Sequence, residues 1–519
     1  MRQTILGAAF VAVLAIPSHA DDALPFKEAD LDASVAAAMQ AFETPGVSIG
    51  VVKDGKLVFS KGYGIANVET GAPVTPDTIF GIASHTKAYT AAALAMLIDE
   101  GKLSWNDRVI DHIPEFRMSD AWVTREFTIK DLLTHRSGLD LGAGDLLIFP
   151  EVETGRDEII KAMRHLKPVS SFRDKYDYDN LLYIIAGEVV GRVSGMPWED
   201  FIEKRIFAPL HMDSCRALPE NLPADAPRAY PHMTVDGKLT VTKFDKGDPT
   251  TAAGAINCSL TDHAKWVAVQ LNGGKMADGT PLFSEARHKE MWTPITPLGG
   301  DAFGRPPYNT HFKSYGLGWF LDDMNGQLHV YHSGGLIGMV TYTNLLPEEN
   351  LGVIVFTNNM NGYTMRSLTN ELLDAYLGVD NGDWVEQSKK DYAERLANAD
   401  KVVAEAKAVA SGAKSKAQKA DAYTGTYRDA WYGDMVVTAE KGKLRMTSKR
   451  SAQLKGDMVH FNRDTFIVRW DDRTLDADAY ATFQFGPDGK PTKVEMKPVS
   501  PLTDFSFDFQ HLDLQRVAD

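Results

Sequence analysis

The stretch Phe80-Gly-Ile-Ala-Ser84-His-Thr-Lys87 opens a run of Ala, Leu and Met that continues to Glu100, with Gly101 directly after it. This composition predicts a helix from Ser84 to Glu100 with Gly101 at its C-cap. Ser84 and Lys87 lie three residues apart at its start, so they stack on one face, one turn apart. A serine hydroxyl is a poor nucleophile unless a base lies within hydrogen-bond reach. A lysine is such a base when burial and neighbouring cations lower its pKa. At the N-terminal end of a helix the Ser84 amide also points outward, where a developing oxyanion can use it. Alone the pattern is weak, because Ser-x-x-Lys arises by chance about once or twice in roughly 500 residues. Ser411-Gly-Ala-Lys414 repeats it in a polar segment that reads as a solvated helix face.

Upstream, Val47-Ser-Ile-Gly-Val-Val52 and Lys56-Leu-Val-Phe-Ser60 flank Asp54-Gly55 and predict a hairpin. Downstream, residues 103–300 mix short helical patterns with Pro and Gly turns. Strand-like runs return at Leu317-Gly-Trp-Phe-Leu321 and Leu351-Gly-Val-Ile-Val-Phe356. Strands at both ends with helices between predict an α/β layer whose sheet the far part of the chain completes. This main domain is placed at residues 21–386. Residues 387–421 are Ala/Lys-rich good helix formers and read as a helical linker. Residues 422–519 carry short β-type runs, Met435-Val-Val-Thr438, Lys443-Leu-Arg-Met-Thr447, Thr465-Phe-Ile-Val-Arg-Trp470, Ala481-Thr-Phe-Gln-Phe485 and Val494-Glu-Met-Lys497. They predict a small all-β domain, sandwich or barrel. It is read either as a structural or dimerising module or as a cover over a cleft.

Residues 1–20 combine Arg2, an apolar stretch from Ile5 to Ile16, and Pro17-Ser18-His19-Ala20. That is the pattern of a secretory signal peptide cleaved near Ala20, and it predicts a periplasmic or secreted protein. The apolar run is too short for a transmembrane helix, and no later segment is long and apolar enough to span a bilayer. Of 519 residues, 55 are Lys or Arg and 70 Asp or Glu, a formal charge of −15 that disfavours nucleic acid and anionic membranes as partners. There is no Lys/Arg-rich run, phosphate-binding glycine loop or His-Glu-x-x-His zinc helix. The only two cysteines, Cys215 and Cys258, are expected as buried apolar side chains rather than as a disulfide. Monomer and homo-oligomer are equally compatible with the sequence.

Two further segments join the serine and lysine. Tyr178-Asp-Asn180 lies about 90 residues on, directly before the apolar helical run Ile184 to Val190. A tyrosine close to a lysine can shuttle a proton, and an asparagine can hold the lysine and a substrate carbonyl. His332-Ser333-Gly334-Gly335 lies between the strand-like Leu328-His-Val-Tyr331 and Met339-Val-Thr-Tyr342. Its glycines allow close backbone approach and offer a second oxyanion donor. The same residues also have plain structural readings: Tyr178 as a core aromatic, Asn180 as a helix cap, His332 as a satisfied strand histidine.

Order and context decide between these readings. With Thr128-Ile-Lys-Asp-Leu-Leu-Thr-His-Arg-Ser-Gly-Leu139 and Ala252-Ala-Gly-Ala-Ile-Asn-Cys-Ser259, the three segments resemble the penicillin-recognising serine hydrolases, in particular the class C β-lactamase-like branch of D-aminopeptidases, D-Ala-D-Ala carboxypeptidases and esterases. The residues from Tyr423 resemble the lipocalin-like domain attached to some of them. The resemblance implies an α/β/α sandwich of the β-lactamase/transpeptidase type with a helical subdomain, plus a C-terminal barrel-like domain. It implies acylation and deacylation of Ser84, with Lys87 and Tyr178 as a coupled base. Asn180, His332, Ser333 and Gly334 would bind substrate, the amides of Ser84 and Gly335 would form the oxyanion hole, and His332 would stand on an edge strand. No metal or organic cofactor is required. The family's Lys-Thr-Gly is absent, and the position is His332. A neutral imidazole holds a substrate carboxylate less firmly than an ammonium, so strong β-lactamase activity is not expected. The leading expectation is a peptidase on small or D-residue peptides. The alternatives are a carboxylesterase, and a penicillin-recognising sensor or weak β-lactamase.

Overall fold

β-Rich segments from opposite ends of the main domain build one sheet. The structure, a computed structural model, describes residues 24–299, 304–412 and 416–518. The expected leader at residues 1–20 lies outside them, as does Lys414 of the second Ser-x-x-Lys pattern. In chain order the strands are β1 (Gly46–Lys53), β2 (Lys56–Asn67), β3 (Ala72–Pro73), β4 (Ile79–Gly81), β5 (His232–Val235), β6 (Lys238–Val241) and β7 (Asn257–Ser259). There follow β8 (Thr296–Pro297), β9 (Lys313–Tyr315), β10 (Phe320–Met324), β11 (Gln327–Leu336), β12 (Met339–Leu346) and β13 (Leu351–Thr357). A nine-stranded sheet runs β3-β2-β1-β13-β12-β11-β10-β9-β8, while β4 pairs with β7 and β5 with β6. The expected hairpin is β1–β2. Its turn residues Asp54 and Gly55 take φ values of 52° and 75°, the double left-handed turn that suits the twist of two strands.

The joint between the two ends is β1 against β13, with Ile49 opposite Val355. Every residue of β13 is buried, because both faces of the sheet are covered. Leu351, Val353 and Val355 pack with Val47, Ile49 and Val51 in a core that includes Leu31 and Val35 of helix Glu28–Ala41 and Leu368 and Leu372 of helix Tyr363–Leu377. Ile354 and Phe356 belong to the core on the other face, with helices Thr86–Asp99, Leu181–Ser194 and Leu260–Leu271. Gly50 lets the last of these close on the sheet, since a Cβ there would meet Leu260 at 2.5 Å. The result is the expected α/β/α sandwich.

Helix Thr86–Asp99 is buried all round from Thr86 to Leu97, as suits a helix that is apolar on every face. Gly101 follows it at φ 70°. The run Leu317–Leu321 differs from expectation, because its strand begins only at Phe320. Gly318, at φ 82°, turns the chain where a Cβ would lie 2.8 Å from the Lys87 carbonyl oxygen. The turn is thereby pressed onto the backbone of that helix.

Cys215 and Cys258 form a disulfide, their Cα atoms 4.1 Å apart, which corrects the expectation of free buried thiols. An antiparallel bridge between Arg216 and Asn257 brings the two segments together, a long-range pairing that spacing cannot reveal. After helix Trp384–Gly412, eight strands from Gly425–Asp429 to Leu514–Arg516 close into an antiparallel barrel. Three of these strands, Gly425–Asp429, Lys455–Asn462 and Leu514–Arg516, were not anticipated, being short or largely polar. Among the described residues no helix is long and apolar enough to cross a membrane.

Candidate active site

Ser84 sits in a single 3-10 turn, Ala83–His85, that β4 delivers to the mouth of helix Thr86–Asp99. From Ile79 to Leu97 it alone is not buried. Ala83, immediately before it, is held at φ 49°, a left-handed conformation that costs an alanine about 1–2 kcal/mol. The strain turns the Ser84 side chain out of a core segment into a cleft. The helix is tied to the kinked helix Gly247–Gly254 and to the segment just after it: Thr90 Oγ1 donates to the Ala252 carbonyl (2.7 Å), and Thr86 Oγ1 accepts from the Ile256 amide (3.2 Å).

Lys87 is completely buried directly behind Ser84. Its Nζ donates to Ser84 Oγ (2.9 Å), Asn180 Oδ1 (2.8 Å) and the Ala253 carbonyl (2.9 Å). Burial pulls its pKa down to about 7, against the opposing pull of Asp145 and Asp179. Burial also pushes Asp179 up to about 7 and Asp145 well above the carboxylate range. Protonation of either carboxyl removes part of the attraction that would hold Lys87 charged, which reinforces the same direction. Tyr178 places its ring 4.7 Å from Lys87 Nζ and its hydroxyl against Ser84. Burial holds that phenol well above its ordinary pKa, so it stays protonated as a donor.

Asn180 occupies the N-cap position of helix Leu181–Ser194 but makes no side-chain cap. Its Nδ2 instead donates to Asp145 Oδ2 at 2.8 Å, which fixes which end of the amide faces Lys87. Asp145 stands in no recognisable motif, and His135, within the segment 128–139, is given no role by the sequence. His135, at φ 50°, accepts the Asp179 amide on Nδ1 (3.0 Å) and packs its ring 4.2 Å from that of Tyr178. It fixes the tyrosine from behind.

Ser333, Gly334 and Gly335 line the cleft beside Ser84, together with Tyr178 and Asn180. β11 is interior in the sheet, which corrects its expected place as an edge strand. Its pairing with β10 nevertheless stops at Tyr331, so His332–Leu336 has only β12 beside it and leaves its other edge to the cavity. His332 is buried, with Nε2 3.0 Å from Tyr315 Oη and Nδ1 2.6 Å from the Ser333 carbonyl. Burial pulls its pKa to about 3, so the ring is neutral: Nδ1–H donates to that carbonyl and Nε2 accepts from the tyrosine. Both nitrogens are engaged, and the expected hydrogen bond from His332 to a substrate carboxylate has no donor left. The cavity, about 790 Å³, is walled on its far side by Leu502 to Phe507 of the barrel.

Residues 31–377 match the Beta-lactamase family. The chain belongs to that family. It is therefore a serine hydrolase of the β-lactamase fold. Residues 410–516 match a domain of unknown function, DUF3471. Among relatives, Unguisins hydrolase ungD' of Aspergillus campestris (strain IBT 28561) is 28% identical over 486 residues, 88% of this chain and 86% of that protein. Protein flp of Staphylococcus aureus (strain MRSA252) is 28% identical over 62% of this chain and 60% of its own length. The octameric penicillin-binding protein homologue from Pyrococcus abyssi superposes with a TM-score of 0.62 at 23% identity, over 91% of this chain and 98% of that one. D-amino acid amidase from Ochrobactrum anthropi SV3 gives 0.55 at 23% identity, over 67% and 98%. These two superpositions reproduce the fold.

Proposed function

We propose that this family member hydrolyses small peptides, including those with D-residues, through an acyl-enzyme on Ser84, with neutral Lys87 as the base. The hydrogen bonding of Lys87 carries the reading. An amine has two N–H groups and one lone pair. Asn180 Oδ1 and the Ala253 carbonyl claim the two N–H groups, so the lone pair of the neutral form faces Ser84 Oγ and can take its proton. Tyr178, kept protonated, delivers a proton to the leaving group and regains one from Lys87, which holds the proton taken from Ser84; the lysine and tyrosine titrate as one coupled pair. The amides of Ser84 and Gly335 are the oxyanion donors. The barrel wall of the cavity favours short substrates, the name of ungD' favours hydrolysis, and that of the D-amino acid amidase favours amide bonds and D-residues. The Cys215–Cys258 disulfide supports an oxidising compartment, in keeping with an exported protein.

A carboxylesterase is the second reading, favoured by the engaged His332, which leaves a peptide carboxylate without that partner. Steady-state rates on matched D- and L-aminoacyl anilides and a p-nitrophenyl ester, with Ser84→Ala in parallel, separate the two. Anilide turnover with D preference, lost in Ser84→Ala, is the expected result. Ester turnover alone moves the assignment to the esterase. Penicillin uptake at Ser84 without turnover moves it to a sensor.

A further inference from the structure

The loop joining the last two barrel strands, residues 499–513, reaches past the cavity wall into the framework of the site. Gly142, at φ 67°, admits it: a Cβ there would meet Phe505 Cδ2 at 2.7 Å and its carbonyl oxygen at 2.9 Å. Phe505 in turn stands edge-on to Tyr178, with ring centroids 5.9 Å apart. Asp508 is completely buried and accepts the amides of Gly144 (2.7 Å) and Leu146 (3.0 Å), so one carboxylate clamps the backbone on both sides of Asp145. His511 braces it, bridging Asp508 Oδ2 (3.0 Å) and Asp140 Oδ2 (3.1 Å). Ser506 Oγ donates to Asp145 Oδ2 at 2.9 Å, the same oxygen that accepts from Asn180. A continuous chain of hydrogen bonds thus runs Ser506–Asp145–Asn180–Lys87–Ser84 and crosses from one domain to the other.

We propose that Ser506 and Asp508 of the barrel are positioning residues for the hydrolytic site, acting on Lys87 through Asp145 and Asn180. The proposal rests on the reading of Lys87 as the base of Ser84. An asparagine amide has two ends of similar shape, and only the carbonyl end suits an amine N–H; the other end would compete for the lone pair. Asp145 Oδ2 selects the orientation by accepting the NH2 end, and Ser506 keeps that oxygen in place as an acceptor. Asp145 Oδ1 has no hydrogen-bond partner among the described residues, so Oδ2 carries the whole arrangement. The barrel is therefore part of the active site, beyond its role as a cover.

The charges make the idea testable in sign. Lys87 is faced by Asp145, Asp179, Tyr178, Tyr183, His135 and His332, and Asp145 by Asp508 and Asp179. The Ser506 hydrogen bond favours ionised Asp145, whereas the Asp508 charge disfavours it. Ionised Asp145 favours charged Lys87. Removing the Ser506 hydroxyl therefore lowers the Lys87 pKa, and removing the Asp508 charge raises it. The experiment is the pH profile of kcat/KM for p-nitrophenyl acetate with the full chain, for wild type, Ser506→Ala, Ser506→Thr and Asp508→Asn, with thermal midpoints measured alongside. We expect Ser506→Ala to lose about tenfold in kcat/KM with its acidic limb moved to lower pH. Asp508→Asn should move that limb to higher pH, and Ser506→Thr should retain the wild-type profile. General destabilisation does not move one limb in two directions. Folded Ser506→Ala and Asp508→Asn proteins with the wild-type limb would overturn the proposal while leaving the base assignment intact. A wild-type protein whose ester turnover survives Ser84→Ala would overturn the assignment itself.

Discussion

A buried amine with carbonyl oxygens at 2.8 and 2.9 Å on two sides has only one direction left for its lone pair, and Ser84 lies there. The protonated lysine cannot accept, so activity must grow as Lys87 loses its proton. Its pKa of about 7 predicts kcat/KM rising tenfold per pH unit below about 7 and levelling above, as a pH–rate profile on an ester will show. Lys87→Arg, which cannot deprotonate, should cost at least about a thousandfold in kcat/KM in the same assay. Because the folded pKa lies below the unfolded value, the unfolded state binds this proton more tightly between about 7 and 10.5. Burying Lys87 thus costs stability at low pH, and the cost fades as pH rises through that window. The order and context of the motifs, through the family resemblance, named Ser84, Lys87, Tyr178 and Asn180, which the fold brings together. Asp145 and Ser506 were illegible, because each acts through a contact between distant segments and stands in no pattern of its own; His135 stood in the segment 128–139, but its role depends on contacts with the distant Tyr178 and Asp179.

At the scale of the element, β11 shows how a strand is fitted to a nucleophile. Gly334 faces the Ser84 turn so closely that a Cβ would lie 2.2 Å from the Ile82 carbonyl oxygen and 3.0 Å from Ala83 Cβ, whereas at Gly335 a Cβ would meet nothing within 4 Å. Gly334→Ala should therefore push strand and turn apart, destabilising the protein by about 2–3 kcal/mol and abolishing activity. Gly335→Ala should keep the wild-type stability in a urea melt. Equal melts for the two variants would count against this packing. The β1–β2 hairpin and the Ser84 helix were legible because turn chemistry and composition are local. The onset of β10 was not, because Leu317–Trp319 packs on the Lys87 helix as a turn despite its strand-like composition. The polar barrel strand Lys455–Asn462 was missed for the converse reason: it gains its regularity from its neighbours.

Over the whole molecule, long-range ties decide what local patterns leave open. The Cys215–Cys258 disulfide closes a loop of 43 residues, for which the chain-entropy relation gives about 4 kcal/mol. A Cys215→Ala/Cys258→Ala double variant should lose roughly that much in denaturant unfolding; an unchanged midpoint would show that the fold holds this segment without the bond. The α/β layer was legible because β-rich runs at both ends imply a sheet closed by the far part of the chain, and the family resemblance supplied the sandwich. The meeting of barrel and cleft is one of two readings the sequence leaves open, and the loop that makes it was not legible, since nothing in residues 499–513 marks where a loop between two strands will dock.

The most direct test of the account is mass spectrometry of the quenched reaction with a p-nitrophenyl ester, followed by peptide mapping. An acyl group on Ser84, formed faster as pH rises through about 7 and absent from Ser84→Ala, is the predicted result. Turnover without an adduct on Ser84, or an acylation rate indifferent to pH across that range, would contradict it.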